Sequence, residues 1–406
     1  MIGKSKIIAG IEIGTSKVAV LVGEIVNGSS LNIIGFGRSS SRGVIKGGIF
    51  DFKQASDATH AAIHAAEKQA GAHIEGVYLA QSGAHIDGFY NEASVTVSSS
   101  NNLVGAEDIR RVCESAKAKV LPEGRTVIHH IRRPFRLDGR MVADPEYLEG
   151  GKLEVGYWTV HGSLNKISDA IHIINGFSLH VDDLILSSLA SGVMVAGSEA
   201  MRNGVLVIDI GGGSTDFVLY RDGYVVRTGT LPVGGDHLTN DLSLGLRIGR
   251  TQAEALKRRC AKAVVDPEDK GQKIWLNGNL AIGDRQISQH AINRICHARV
   301  EEVFGLIKKK LGELISPQQV AAGVVVTGGG SRMAGIAETG EAVFGVPVAV
   351  GENPAWVTDE LRGLEFSTVL GLLNYGLKNE NESDSEGGRR KPGGLLRKVT
   401  RIFDKG

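Results

Sequence analysis

The sequence predicts an α/β fold made of two related halves, and three observations predict it. First, residues 7–28 (IIAGIEIGTSKVAVLVGEIVNG) and 205–223 (VLVIDIGGGSTDFVLYRDG) follow one plan. Each is an apolar strand carrying one acid, a turn of Gly, Ser or Thr, a second apolar strand and a hairpin signal, Asn27-Gly28 or Asp222-Gly223. Second, a third strand follows both, LNIIGFGR at 31–38 and YVVRTGTL at 224–231, so each half opens with a three-stranded meander. Third, strand and helix patterns alternate along the rest of the chain, which places helices on both faces of a sheet. Glu12 and Asp209 hold equivalent places about 200 residues apart, the spacing of a duplicated domain and not of a solenoid.

The first meander leads into Phe52–Ala70 (FKQASDATHAAIHAAEKQA), Ala-rich with apolar residues at helical spacing, and then into the strand-like VYLAQSG. Residues 84–162 read as an inserted unit: a strand pattern (ASVTVSS), a short amphipathic helix (AEDIRRVCESAKAK) and further strands (TVIHHIRRPFRL, KLEVGYWTVHG). Arg132, Arg133 and Arg136 form a small basic cluster there, read as a solvated strand edge. In the second half, helical spacing covers Thr251–Ala263 and Ser288–Leu311, and a last strand runs into VVVTGGG at 324–330. From Lys378 to Gly394 the chain turns polar, charged and Gly-rich (KNENESDSEGGRRKPGG), the composition of a disordered linker.

Bulk properties exclude several classes. The chain of 406 residues is long enough for two or three domains. A formal net charge of +1 argues against general binding of polyanions such as nucleic acid. Cys113, Cys260 and Cys296 are far apart, match no metal-ligand spacing, and read as buried free thiols in a reducing cytosol. No stretch approaches the ~20 apolar residues of a transmembrane helix, and the N-terminus lacks a signal-peptide run, so a protein kept inside the cell is expected.

Three Gly-rich turns follow apolar strands: Gly14-Thr15-Ser16-Lys17, Gly211-Gly212-Gly213-Ser214-Thr215 and Gly328-Gly329-Gly330-Ser331. Small residues let backbone N–H groups converge on one concavity, which is how a phosphate chain is held without a side-chain cage. The hydroxyls of Thr15, Ser16, Ser214 and Thr215 add donors, and Glu12 and Asp209 are placed at strand ends to hold Mg²⁺ through water. Neither a Walker loop nor a GxGxxG fingerprint is present; the ordered combination of turns carries the reading.

That order resembles the actin, heat-shock-chaperone and sugar-kinase superfamily. IEIGTSKVAV is similar to its first phosphate hairpin, VIDIGGGSTDFVLY to its second, and VVVTGGGSRMAGI, with Met333, to its adenosine motif. DDLILSSLASG (182–192) and EFSTVLGLLNYG (365–376) resemble its two crossing helices, with Ala190, Gly192, Gly363 and Gly371 small enough for close packing. Within the superfamily the chain resembles the FtsA family of bacterial cell-division proteins. GTSKV is that family's first hairpin. LPVGGDHLTNDL (231–242) would bring Gly234 and Gly235 near the phosphates, and RTQAEALK (250–257) would turn Glu254 and Lys257 to the ribose or base.

The resemblance implies an actin-like, ribonuclease H-like two-domain ATPase fold with an inserted subdomain. Residues 1–83 and 163–198 would be subdomain 1A, 84–162 subdomain 1C, 199–235 and 318–377 subdomain 2A, and 236–317 subdomain 2B. It implies ATP and Mg²⁺ as cofactors. It implies self-assembly into an actin-like polymer, capture of the FtsZ C-terminal peptide by 2B, and recruitment of other division proteins by 1C. Many relatives carry Asp where this chain has Glu12, which moves the carboxylate roughly 1.5 Å. Binding is therefore expected ahead of turnover, with Glu12 and Asp209 the only catalytic candidates and hydrolysis slow at most. Two other readings are a sugar or metabolite kinase, with Asp216 available as base, and an actin-like type IV pilus assembly protein.

The terminal segment 395–406 is amphipathic. Leu395, Leu396, Val399, Ile402 and Phe403 share one helix face, and Arg397, Lys398, Arg401 and Lys405 surround the other. Basic charge beside an apolar face after a flexible linker points to an anionic membrane surface, and the resemblance implies that this is the cytoplasmic face of the inner membrane at the division site. Five partly inserted apolar side chains supply about 5–8 kcal/mol gross, and ordering a dozen residues costs a comparable amount. One tail binds reversibly; several on one polymer bind firmly through effective concentration.

Overall fold

A computed structural model describes residues 6–26, 30–276 and 284–385. The terminal amphipathic segment, most of the expected linker and the Asn27-Gly28 turn lie outside the described residues. The chain opens with strands β1 (Lys6–Ile13), β2 (Lys17–Val26) and β3 (Ser30–Ser40), a small hairpin of β4 (Val44–Ile45) and β5 (Gly48–Ile49), helix α1 (Phe52–Ala70) and strand β6 (Gly76–Gln81). The inserted unit holds β7 (Asp87–Thr96), α2 (Ala106–Lys117), β8 (Arg125–Arg132), β9 (Phe135–Leu137), β10 (Arg140–Val142) and β11 (Lys152–Ser163). The first half resumes with α3 (Leu164–Asn175), β12 (His180–Leu186) and α4 (Ser187–Val195). Then come α5 (Ser198–Asn203), β13 (Val205–Ile210), β14 (Thr215–Arg221), β15 (Tyr224–Leu231), α6 (Gly235–Leu246) and α7 (Arg250–Cys260). The chain closes with β16 (Lys273–Leu276), β17 (Arg285–Ser288), α8 (Gln289–Leu311), β18 (Val324–Thr327), α9 (Ile336–Phe344), β19 (Val348–Val350) and α10 (Ser367–Ser385).

The duplication read from the sequence is a duplication of topology. One sheet has the order β3-β2-β1-β6-β12 and the other β15-β14-β13-β18-β19. In both, the first three strands are antiparallel and the last two run parallel to the first. The Asp222-Gly223 turn has positive φ at both residues (56° and 79°), the conformation that matches the twist of a two-residue hairpin.

Packing explains why α1 is Ala-rich and β3 carries glycines. A Cβ on Gly37 would sit 1.8 Å from the Ala62 carbonyl oxygen and one on Gly35 2.4 Å from that of Ala66. Ala62 and Ala66 are fully buried there, so the helix lies directly on the strand.

Helices α4 and α10 exchange places between the halves. Leu189 and Ala196 of the α4 segment pack with Val205, Val207 and Val218 of the second sheet. Val369, Leu370, Leu372 and Leu373 of α10 return to Ile8, Leu21 and Tyr78 of the first sheet. The two helices touch where a Cβ on Gly371 would lie 1.9 Å from the Ala190 carbonyl oxygen. Two sequence expectations need correcting here. Residues 182–186 belong to β12, because they pair in parallel with β6, and the helix starts only at Ser187. Gly363 lies ahead of α10 beside Glu365 and Arg332, not at the crossing, and Gly192 faces Tyr220 and Val218 instead of α10.

A third correction concerns the linker, which was expected to begin at Lys378. Helix α10 continues through Ser385. The first residues of that extension are tied to the first sheet: Asn379 donates to the Tyr78 hydroxyl (3.1 Å), and Lys6 pairs with Glu380.

In the inserted unit, β11 pairs β7 along its length and β8 and β9 on its other side, with α2 over the sheet. Asp108 anchors the start of α2. Its buried carboxylate accepts from the amides of Gly105 (3.1 Å) and Ser98 (3.1 Å), the Ser98 hydroxyl and Arg111. Burial alone would raise its pKa, but these bonds outweigh burial and bring it to about 2. Asp108→Ala is expected to lower stability by about 2 kcal/mol at neutral pH in chemical unfolding. The folded-state pKa is depressed, so the wild-type contribution is present above pH ~4 and is lost as pH falls through 2.

The basic cluster is not a solvated edge. Arg133 is half-buried, stacks over Tyr90 (4.9 Å) and donates to the Val226 carbonyl of β15 (2.8 Å). Arg132 lies over Phe135, and Arg136 pairs with Glu92 and Glu154. The three cysteines are free, but the expectation that all are buried holds only for Cys296; Cys113 and Cys260 are partly exposed.

Candidate functional site

The two matched turns close identically. The Gly14 N–H donates to the Lys17 carbonyl (3.0 Å), and the Gly211 N–H to the Ser214 carbonyl (2.9 Å). They meet face to face across a cleft of about 410 Å³ between the halves. A Cβ on Gly212 would lie 3.0 Å from Ser16 Cβ, and one on Gly213 2.5 Å from Thr15 Oγ1, so only glycine permits this approach. Among the described residues, the amides of Thr15, Ser16, Gly212 and Gly213 donate to no backbone carbonyl. Unpaired amides in two opposed turns are the donor set a phosphate chain requires.

Most residues expected at a nucleotide line this cleft: Glu12, Gly14, Thr15, Ser16, Lys17, Asp209, Gly211, Gly212, Gly213, Ser214, Gly235, Glu254, Lys257, Gly329, Gly330 and Met333. Four do not line it and shape the turns instead. Thr215 is fully buried and donates to the Val233 carbonyl (2.8 Å). Ser331 is buried and donates to the Gly328 carbonyl (2.7 Å). Gly328 has φ +84°, and a Cβ there would strike Asp209 Oδ1 at 2.2 Å. Gly234 lies against the second turn, where a Cβ would be 2.6 Å from the Gly211 carbonyl oxygen. The first amides of α6 also serve that turn: Gly235 N–H donates to Gly211 and Asp236 N–H to Gly212.

Charges are arranged in two groups. On the α6–α7 side, Glu254 pairs with Lys257 (2.6 Å) and Arg258 (2.6 Å) and accepts from Thr239. Lys257 also donates to the Gly235 carbonyl (2.9 Å). Burial would raise the Glu254 pKa, but Lys257, Thr239 and Arg258 together bring it to about 2.

The other group is acidic. Glu12 pairs with Lys17 (2.9 Å), and Asp209 accepts from Thr368 of α10 (3.1 Å). Burial, then the charge of Glu12, pushes Asp209 up to about 6. Asp216 accepts from Ser82 (2.6 Å) and Thr230 (2.6 Å), and burial pushes it up to about 7. Carboxyl groups held this high favour a compensating cation. Among the described residues no cluster of three or more His, Cys, Asp and Glu forms a metal cage. The set fits a hard cation that keeps water and phosphate oxygens as its other ligands.

Sequence reading missed several cleft residues: Arg38, Gln81, Ser82, Lys166, Arg258, Arg332 and Thr368. One signal for Gln81 and Ser82 was present. VYLAQSG occupies in the first sheet the place that VVVTGGG occupies in the second, so its turn also faces the cleft.

Two sheets of one topology, crossing helices and opposed Gly-rich turns define an actin-like fold. The PilM-PilN type IV pilus biogenesis complex superposes with TM-score 0.58 at 16% identity, covering 91% of this chain and 98% of that one. MreB5 of Spiroplasma citri bound to ADP gives 0.55 at 15%, covering 94% and 99%. The family model "Cell division protein FtsA" matches residues 206–371, and "SHS2 domain inserted in FTSA" matches 83–161. The Pseudomonas aeruginosa cell division protein FtsA is 32% identical over 94% of this chain and 91% of its own length. That of Neisseria meningitidis is 33% identical over 99% of each, and that of Escherichia coli K12 32% over 94% and 93%. The chain belongs to the FtsA family of cell-division proteins. Among the described residues no helix is long and apolar enough to cross a membrane.

Proposed function

We propose that this chain binds ATP in the interdomain cleft, polymerises in an actin-like manner and tethers FtsZ filaments to the cytoplasmic face of the inner membrane at the division site. The observation that carries the nucleotide reading is the pair of identically closed turns, with unpaired amides on residues that line one cleft. The MreB5 neighbour bound to ADP supports it. Glu12 and Asp209 would hold Mg²⁺ through water, and Mg²⁺ would neutralise phosphate charge there. The Glu254–Lys257 pair would face the ribose or base.

Family membership supports the remaining roles. Subdomains 1A (1–83, 163–198) and 2A (199–235, 318–377) would enclose the nucleotide. Subdomain 2B (236–317) would take the FtsZ C-terminal peptide, and 1C (84–162) would recruit other division proteins. The segment holding Leu395, Leu396, Arg397, Lys398, Val399, Arg401, Ile402 and Phe403 would be the membrane anchor. A kinase reading has less support, because Asp216 uses both carboxylate oxygens on Ser82 and Thr230.

Two measurements test the proposal. Calorimetric titration with MgATP is expected to give saturable one-site binding; no heat, with none for GTP, would defeat the nucleotide reading. Anionic liposomes are expected to pellet the full chain and FtsZ filaments together. Deleting 395–406 is expected to abolish pelleting without altering the far-ultraviolet circular dichroism, and undiminished pelleting would remove the anchor.

A further inference from the structure

The inserted domain rests on both halves at once. Strand β12 is the outer edge of the first sheet, and β15 the outer edge of the second. On the first edge, the Leu186 N–H donates to Nε2 of His129 (3.0 Å), a fully buried residue of β8. This is the last residue before α4, where the chain enters the helix crossing. On the second edge, the Trp158 indole N–H of β11 donates to Thr228 Oγ1 (2.9 Å), and Arg133 donates to the Val226 carbonyl. Arg227 of the same strand lies over the Trp158 ring (5.4 Å). The indole is also pressed on Gly88, where a Cβ would be 2.5 Å from the ring.

The second contact is wired to the cleft. Thr228 and Thr230 are two apart on β15 and so share a face. Thr230 donates to Asp216 Oδ1, and Asp216 Oδ2 accepts from Ser82, which lies 3.2 Å from the Ser214 hydroxyl of the second phosphate turn. A short polar path therefore runs from that turn to Thr230, and Thr228, its neighbour on the same face of β15, carries the bond to the indole of the inserted domain. The anchor at Leu186 lies at the start of α4, one of the two crossing helices, and the anchor at Thr228 lies on the far sheet, so a rotation between the halves would displace the second relative to the first.

We propose that the inserted domain is a mechanical reporter of the cleft: a nucleoside triphosphate rotates the halves, shifts β15 under Trp158, and resets the pose of the inserted domain by making or breaking the Trp158–Thr228 contact. The ligand rests on the nucleotide reading above. The two-state element is this contact, biased from the cleft on one side and from whatever grips the inserted domain on the other. Linkage makes the effect reciprocal, so a partner holding the inserted domain in one pose changes nucleotide affinity.

The chain has three tryptophans, and Trp275 and Trp356 are 62% and 50% exposed. A Trp275→Phe/Trp356→Phe variant leaves Trp158 as the sole emitter. MgATP is expected to shift its emission saturably, with the midpoint seen by calorimetry on the same sample. Thr228→Val in that background is expected to lose the shift while the ATP heat persists. Arg133→Gln, which cuts the other bond to β15, is expected to reduce the shift and stands in if Thr228→Val does not fold. ATP heat with static Trp158 emission overturns the coupling and leaves the nucleotide reading intact. A full shift in both contact variants overturns the route. Absence of ATP heat overturns the nucleotide reading, and with it the ligand of this device.

Discussion

Gly371→Ala is expected to destabilise the protein by roughly 2–3 kcal/mol, although alanine is the better helix former. In an open helix this change stabilises by about 1 kcal/mol, since alanine restricts the unfolded backbone and hides the helix from water. Here the new methyl would sit 1.9 Å from the Ala190 carbonyl oxygen, well inside any contact distance. Relief requires α4 and α10 to move apart. Both helices are buried along that seam, each against the other half's sheet. Separation therefore loosens two cores together and tilts the floor of the cleft, because Asp209 is bonded to Thr368 on α10. Gly305→Ala in α8 is the matched control. Its methyl would meet nothing within 4 Å, so it should stabilise by about 1 kcal/mol. Chemical unfolding of both variants checks the pair, and a Gly371→Ala protein stabilised as the control is would refute close packing at the crossing.

What was legible in the sequence was local chemistry that repeats. Acid, glycine and hydroxyl recur in order after apolar strands, so the two Gly-rich turns and their shared topology could be read directly. Helix α1 was legible to the residue from its Ala-rich helical spacing, and in the structure Asp51 caps its start, accepting from the Gln54 amide, while Gly71 ends it at φ +62°. What was hidden depends on partners distant in sequence. Gly234 carries the same signature whether it faces a phosphate or packs on Gly211, and only the fold decides. Arg133 looks like any exposed strand arginine until β15, over 90 residues later, presents a carbonyl to it. The polar end of α10 has a linker's composition, yet Tyr78 and Lys6 of the first sheet tie down its first residues. Cleft residues such as Lys166 and Thr368 sit in unremarkable helix patterns, and their role comes from where those helices pack.

Asp209→Asn should separate stability from binding most sharply. The wild-type carboxyl is held up to about 6 by burial and then by the charge of Glu12. An unfolded aspartate ionises near 3.9. The folded protein therefore binds the extra proton between those values, and stability falls as pH rises through that window. Well above pH ~6 the wild type carries the full cost of the buried charge, on the order of 3 kcal/mol. Asparagine keeps the shape and still accepts from Thr368, but carries no charge to bury. The variant should melt several degrees higher than wild type at pH 7–8, and the gap should close as pH falls towards 4. Binding should move the other way, with Mg²⁺-dependent ATP affinity falling about 100-fold through loss of a carboxylate that offsets the cation. Glu12→Gln supplies the contrast. It frees Lys17, now paired at 2.9 Å, to reach a phosphate, so its loss of affinity should be smaller. An Asp209→Asn protein that melts lower at pH 8, or binds MgATP as the wild type does, would show that this carboxylate is structural, and the cation would then have to be sought at Glu12 alone.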